Sequence, residues 1–482
     1  MKIKNNRRTK IVSTIGPSSE SADMISRLIK AGVDVFRLNF SHGTAAQHCK
    51  VANIIRKHAA IEGRYVGILA DLQGPKIRIG DFVNGEIDLR TGDKFCLNLS
   101  NEETEGTFRG VGVRYKDLAT HVKLSDILLL DDGRIRLKVC GIEKNEVDCT
   151  VLVGGKLSSR KGINRLGGGL AAAALTDKDV FDISSFQTIR PDFVAISFVG
   201  STSDIDRARE LLNNIDLNPS IIAKIERAEV VEDPDLLNSI LESTNGVMVA
   251  RGDLGVEVGD AQLIGIQKDI ISRARKMNRV VITATQMMES MINNSFPTRA
   301  EVFDVANAVL DGTDAVMLSA ETAVGRYPVE VVKAMSEAAI GAERHPVATT
   351  SRYRLDKRFD DAQETIAMSA IYAANHFDSV RGIACLTESG TTPLLMSRLS
   401  SGLPIFSLSE HPSTLQKLSL CRGVVPLYFE SAAFDRDEID IRALEFLRDE
   451  GLIKMGDSII LTQGSLMGIR GSTNIIKILN VS

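Results

Sequence analysis

Residues two apart on a strand share a face, and several short stretches of this sequence set charged or hydroxyl side chains at that spacing. FRLNFSHG carries Arg37, Asn39 and Ser41, AKIE carries Lys224 and Glu226, TATQ carries Thr283 and Thr285, and LSAE carries Ser319 and Glu321. Each group follows an apolar run. Buried ions need partners, because an unpaired one is strongly destabilising. Two readings compete: a network of ions that satisfies itself, or a site completed by a charged ligand. For one pair alone they balance; with every pair at the same end of its strand, and Asp71 and Asp253 added, the ligand site is favoured. Asp253 and Glu226 offer two hard oxygens to a divalent cation, leaving positions for water and a substrate phosphate, as Mg²⁺ prefers. Arg37 and Lys224 supply cations for a phosphate beside that metal.

Two further stretches carry signals. In VMVARGDLGVE an apolar run gives way to Arg251-Gly252-Asp253, where a short helix is expected to open with N–H groups free to bind an anion. Gly252 lets a ligand approach the main chain; the alternative is a tight turn capped by Asp253. In ADLQGPKIR, Asp71 is followed by a turn at Gly74-Pro75 and then by Lys76 and Arg78 at alternate positions. His42 is either a ligand contact at the same end or a structural residue. The sequence contains no G-x-x-x-x-G-K-[ST] loop, no G-x-G-x-x-G and no H-E-x-x-H, so a nucleotide would be held by cations and metal.

The elements that must position these residues follow one rhythm over 10–75 and 190–345: a β-branched strand pattern, then a helical one that often ends near glycine. Strands are expected at 10–16, 34–41, 65–72, 192–198, 221–226, 246–253, 280–287 and 315–322. Eight such units predict a (β/α)₈ TIM barrel rather than an open doubly wound sheet, with its chemistry at the C-terminal strand ends. Residues 74–168 break the rhythm with short strand patterns, and Asp132-Gly133 between apolar runs signals a hairpin. The expected domains are a barrel of 1–73 and 169–345, an inserted β-barrel-like unit of 74–168, and a C-terminal open α/β unit of 346–482. The insert is read as a lid over the barrel mouth, a tolerated surface insertion being the alternative.

Bulk properties exclude other classes. The 482 residues call for roughly two to four domains. A net charge of −4 argues against a nucleic-acid binder. Six scattered cysteines without C-x-x-C spacing suit a reducing cytoplasm. No apolar run approaches the roughly 18 residues that span a bilayer, and MKIKNNRRTK does not open a signal peptide.

The stretches TKIVSTIGP, RLNFSHG, AKIER, MVARGDLGVE, TATQMMESM and PTRAEVFDVANAVLDGTDAVMLSAET together resemble the pyruvate kinase family, over essentially the whole chain. The resemblance implies transfer of a phosphoryl group from phosphoenolpyruvate to ADP, giving pyruvate and ATP at the last step of glycolysis. It implies Mg²⁺ (or Mn²⁺) on Glu226 and Asp253, and Lys224 stabilising charge on the phosphoryl group and enolate. It assigns Arg37 to the phosphate, and Thr285 with the backbone of Gly252 and Asp253 to the substrate carboxylate. Thr285 and Ser319 lie where the family delivers a proton. Arg78 and Lys161 match nucleotide contacts; Lys178 and His42 are weaker candidates.

Most members of the family read Asp-Thr-Lys-Gly-Pro-Glu-Ile-Arg where this chain has Leu72, Gln73 and Lys76, and they hold K⁺ on the positions of Asn39, Ser41, Asp71 and the Leu72 carbonyl. The chain is similar instead to the K⁺-independent branch, with Lys76 expected to replace the ion and Asp71 to be its partner. In the third unit, Thr387, Ser389, Gly390, Thr391 and Thr392 suit a phosphate-binding turn, an ordinary strand-to-helix turn being the alternative, with GSTN (471–474) expected nearby. The resemblance makes this a site for a phosphorylated allosteric effector and the assembly a cytoplasmic homotetramer. The rival readings are a metal-dependent lyase or aldolase acting on pyruvate or its enol ester, and an inactive sensor homologue.

Overall fold

Eight short runs dominated by Val, Ile, Leu, Ala and Met form parallel strands that close on one another. They are β1 (Lys10–Thr14), β2 (Val35–Asn39), β3 (Gly67–Asp71), β4 (Phe193–Ile196), β5 (Ser220–Ile225), β6 (Gly246–Ala250), β7 (Val280–Ala284) and β8 (Ala315–Leu318). The closed order β1-β8-β7-β6-β5-β4-β3-β2 is that of a (β/α)₈ barrel. The computed structural model describes residues 7–100, 106–170, 173–350, 354, 357–466 and 468–481; the opening of the basic N-terminal stretch, 1–6, lies outside them.

Local signals set the helices. Ser21 caps Ala22–Ala31 by accepting from the Met24 N–H, and Thr298 with Glu301 forms a capping box on Arg299–Asp311. Gly312, at φ +94°, ends that second helix in the left-handed region that glycine adopts without strain. Outward-facing strand residues pack with the helices in one large apolar cluster that includes Ile11, Phe36, Ile68, Val194 and Val249. Inward-facing residues of the lower barrel, among them Val12, Leu69, Ile222 and Met248, are continuous with Ala367, Leu395 and Cys421 of the C-terminal unit. The barrel floor therefore sits on that unit, and the mouth at the other end is left to polar groups.

The chain leaves the barrel after β3 and returns to it at β4. Between them lie a six-stranded and a two-stranded sheet around a core of their own. Ile127–Leu130 and Ile135–Glu143 pair as an antiparallel hairpin whose loop carries positive φ at Asp131, Asp132 and Gly133. After the barrel, a five-stranded sheet takes the order Val424–Tyr428, Ile405–Ser409, Val380–Leu386, Ser458–Gly464, Thr473–Asn480. Its last strand runs antiparallel and was not foreseen, because TNIIKILN lacks clean alternation.

The expected barrel strands all exist, but each ends earlier than its apolar-to-polar pattern suggested. β7 stops at Ala284, and Thr285 and Gln286 turn at φ +69° and +55°. Thr283 and Thr285 therefore do not share a face: the Thr283 hydroxyl donates to Thr313 Oγ1 inside the fold. Glu321 likewise lies in a short helix after β8, where its carboxylate accepts the Ser319 and Met288 N–H groups. It is a buried turn-former rather than a mouth residue.

Candidate active site

At the C-terminal ends of β2, β3, β5 and β6, three cations meet three carboxylates. Arg37 Nε donates to Asp71 Oδ2 at 2.6 Å, and Arg37 Nη1 to Thr14 Oγ1 at 3.1 Å. Lys224 Nζ lies 3.0 Å from Glu226 Oε1 and 3.4 Å from Asp71 Oδ1, and donates to Ser197 Oγ at 2.7 Å. Glu226 Oε2 accepts the Phe198 N–H at 2.7 Å. Lys76 Nζ bonds Asp253 Oδ1 at 3.0 Å.

Burial and neighbouring charge set the protonation of this cluster. Burial alone would pull the Lys224 ammonium down, but Asp71 and Glu226 outweigh it and hold it up at about 12. Burial likewise opposes the Asp71 carboxylate, yet Arg37 and Lys224 keep it below its ordinary value. Glu226 moves the other way: burial raises it, Lys224 pulls it back, and the Asp253 charge pushes it further up. The two ends of the Lys224–Glu226 pair differ because Lys224 shares two carboxylates, whereas Glu226 also faces a second carboxylate across the mouth. Glu226 and Asp253, near enough for their charges to interact, are hard oxygen donors of the kind a divalent cation takes, and Lys224 and Lys76 stand on one oxygen of each.

Asp71 is not the partner of Lys76. Its oxygens are taken by Arg37 and Lys224, and Lys76 turns to Asp253, whose charge outweighs burial and raises the lysine. Beside it, the Leu72 carbonyl accepts the Ser197 hydroxyl at 2.8 Å, and Asn39 Oδ1 accepts the Ser41 N–H at 3.1 Å.

The RGDLG stretch opens the helix Arg251–Val258, with Ala250 at the cap and Asp253 in the first turn, so Asp253 does not cap it. The Gly252 N–H, expected to be open, donates to Thr285 Oγ1 at 2.7 Å. Arg251 fixes this corner by reaching both Asp304 oxygens at 2.7 Å and donating to the Thr285 carbonyl at 2.7 Å. The Ser319 hydroxyl is buried and has no hydrogen-bond partner among the described residues.

Of the nucleotide candidates, Arg78 pairs through its backbone with Gly162, next to Lys161, which bonds Asp131 at 2.7 Å. Lys178 Nζ is held by Asp182 at 2.5 Å and the Phe40 carbonyl at 2.6 Å, which places it against the loop carrying exposed His42. Sequence reasoning missed Ser197, Thr14 and Arg251. Ser197 alone left a signal, a hydroxyl just past a buried strand at the same end as the others.

In the C-terminal unit, Thr387 Oγ1 accepts the Gly390 N–H at 2.9 Å, and Gly390 at φ +80° starts the helix Thr391–Ser397. Ser389 and Thr391 share a hydroxyl contact at 2.9 Å. Thr387 and Ser389 line a cleft with Arg470 and Ser472. Thr392 does not line it: it is buried and donates to Thr473 Oγ1 at 2.9 Å, which also brings the GSTN stretch alongside as expected.

The chain matches the family model for the pyruvate kinase barrel domain over residues 6–332 and that for the pyruvate kinase alpha/beta domain over 364–479. It is 52% identical over 475 residues to pyruvate kinase II of Salmonella typhimurium, covering 98% of this chain and 99% of that protein. It is also 52% identical over 459 residues to a pyruvate kinase of Haemophilus influenzae, covering 95% and 96%. A crystal structure of a pyruvate kinase from Cryptosporidium parvum superimposes with a TM-score of 0.90 at 33% identity, covering 99% of this chain and 97% of the other.

Proposed function

The chain belongs to the pyruvate kinase family, a family of phosphotransferases, and from that premise we propose that it moves the phosphoryl group of phosphoenolpyruvate to ADP, giving pyruvate and ATP. The observation that carries this reading is the charge-balanced cluster of Arg37, Lys76, Lys224, Asp71, Glu226 and Asp253 at one barrel mouth. Glu226 and Asp253 would hold Mg²⁺ or Mn²⁺, which when bound neutralises and orients phosphate oxygens. Lys224, kept charged by its carboxylates, stabilises negative charge as it shifts between phosphoryl group and enolate. Arg37, fixed by Asp71 and Thr14, holds the phosphate. Thr285 with the main chain at Gly252 and Asp253 holds the substrate carboxylate, releasing the internal Gly252–Thr285 bond. The buried Ser319 hydroxyl and Thr285 pass a proton through water to the enolate carbon. Arg78 and Lys161 contact the nucleotide, with Lys178 and His42 near it.

Lys76 takes the part of the monovalent cation, so K⁺ is not required. Support comes from the prior use of the expected ion ligands: Asp71 by two cations and the Leu72 carbonyl by Ser197. Residues 74–168 serve as a lid over the barrel of 1–73 and 169–345, and 346–482 form the regulatory unit. A phosphorylated effector occupies the cleft of Thr387, Ser389 and Arg470, and the assembly is a cytoplasmic homotetramer. No described helix is long and apolar enough to cross a membrane. The lyase, aldolase and sensor readings are not favoured, since both family models match in one chain.

The test is ATP formation from phosphoenolpyruvate, ADP and Mg²⁺ in K⁺-free buffer. Full activity there supports both the reaction and the role of Lys76. Activity only on adding K⁺ keeps the reaction and removes the lysine argument, and none in either buffer, with sugar phosphates or AMP added, rejects the reading.

A further inference from the structure

A second concentration of arginine lies at the opposite end of the barrel, where its floor meets the C-terminal unit. A cleft of about 350 Å³ opens there between the C-terminal ends of two barrel helices, Asp260–Lys276 and Arg299–Asp311, and the segments carrying Ser400 and Arg422. That volume is within the range of small-ligand sites, roughly 300–1,000 Å³. Arg275 lines it from the barrel side and lies against Gly312, where a Cβ would collide with its guanidinium. Arg422 lines it from the other side, just before the strand Val424–Tyr428.

Arg422 is only 8% exposed, and its guanidinium makes no hydrogen bond or ion pair among the described residues; its backbone N–H alone is engaged, by Asp314 Oδ1 at 3.1 Å. Nearby carboxylates are already committed. Asp314 binds Arg398 through both oxygens and accepts the Val281 N–H. Glu343 binds Arg8 and Thr9, and Asp311 binds Lys268, Gln267 and Asn307. Burial first, and then the Arg275 cation beside it, push the Arg422 guanidinium down to about 9. The opposing charge of Asp314 is already shared with Arg398, and a buried arginine among other arginines is costly unless something else supplies negative charge. A guanidinium fork is suited to a planar or tetrahedral oxyanion.

We propose that this cleft binds a small phosphate-class oxyanion, inorganic phosphate or a phosphate monoester, which bridges Arg422 of the C-terminal unit to Arg275 of the barrel. Ser272 and Ser400 stand at the same cleft as hydroxyl donors. The site is separate from both the barrel mouth and the cleft at Thr387. Through the Asp314 contact to Arg422, it abuts the start of β7 and β8, the strands that lead to Thr285 and Ser319.

The test uses the full chain and inorganic phosphate against chloride at matched ionic strength, read by thermal melting and by calorimetric stoichiometry. Arg422→Met removes the unmatched cation, so in phosphate-free buffer it melts at or above the wild-type temperature. It binds one phosphate fewer per chain and loses that part of the phosphate-dependent rise. Arg422→Lys, which keeps the charge without the fork, folds as wild type and weakens that phosphate at least fivefold. Repeating the titration with glycerol 3-phosphate separates the sources: tighter binding than phosphate marks an ester ligand, equal or weaker binding marks the free ion. Unchanged stoichiometry and affinity in both variants overturns the proposal, as does an Arg422→Met protein that melts lower without phosphate, since Arg422 would then be structural.

Discussion

The two ends of the barrel are built from the same chemical groups and use them differently. At the floor, an aspartate stands immediately before each of β2, β4 and β8. Each accepts a backbone N–H from the neighbouring strand: Asp34 from Ile11 at 2.9 Å, Asp192 from Ile68 at 2.7 Å and Asp314 from Val281 at 2.9 Å. Each also meets arginine, Asp34 with Arg7 and Arg64, Asp192 with Arg56, Asp314 with Arg398. At the mouth, Asp71, Glu226 and Asp253 instead face arginine and two long lysines, and among the described residues only Glu226 takes a backbone N–H. A carboxylate locked by main chain and guanidinium staples strands together. One held by a flexible ammonium can exchange that partner for a metal or substrate. Under the proposed function, position in the barrel separates stability from chemistry.

Variants at the mouth should therefore alter rate and variants at the floor stability. Lys224→Met gives the largest effect: kcat for ATP formation falls by about 10³-fold or more, with a cooperative melt retained. Loss of the folded state instead would mean that the mouth, too, is structural. Asp314→Ala strands Arg398 in a buried site and lowers stability by about 3–5 kcal/mol in denaturant titrations. The folded fraction keeps its rate within about twofold; a collapsed rate with intact stability would erase the contrast.

Lys76 sharpens the comparison because its partner is exchangeable. Lys76→Glu loses activity in K⁺-free buffer by about tenfold or more, the effect of some 1.4 kcal/mol, and added K⁺ restores it. Failure of K⁺ to restore it would show that Lys76 does something other than replace an ion.

The smallest effect tests a carboxylate belonging to neither class. Glu257, on the helix after β6, accepts the Ala228 N–H at 2.8 Å and has no ion pair among the described residues. Burial chiefly, with the Glu229 charge adding, pushes its carboxyl up to about 7. Between the ordinary carboxylate range and about 7 the folded chain holds a proton that the unfolded chain has lost, so stability falls as pH rises through that window. Glu257→Gln removes this slope and gains about 1–2 kcal/mol at pH 8. A slope that persists in denaturant titrations across pH would assign it to another group.

The alternation of apolar strands and amphipathic helices was enough to read the barrel, and capping residues such as Thr298 and Glu301 marked helix starts to the residue. Polar residues at strand ends, since in otherwise buried strands they must answer to a partner, pointed to the end where Arg37, Asp71, Lys224 and Glu226 do meet, whereas Thr283 and Glu321 turned elsewhere. The sequence could not say where each strand stops. Alternation continues in the letters of TATQ and LSAE, but the backbone leaves the sheet at Ala284 and Leu318, and from there side-chain direction is set by turn geometry. Nor could it choose partners: Asp71 and Lys76 are five positions apart, yet Asp71 goes to Arg37 and Lys224 and Lys76 goes to Asp253, 177 positions away. Local pattern is a property of neighbours along the chain and is written in their order. Charge pairing depends on distances across the closed barrel and on burial, which exist only once the eight strands have met.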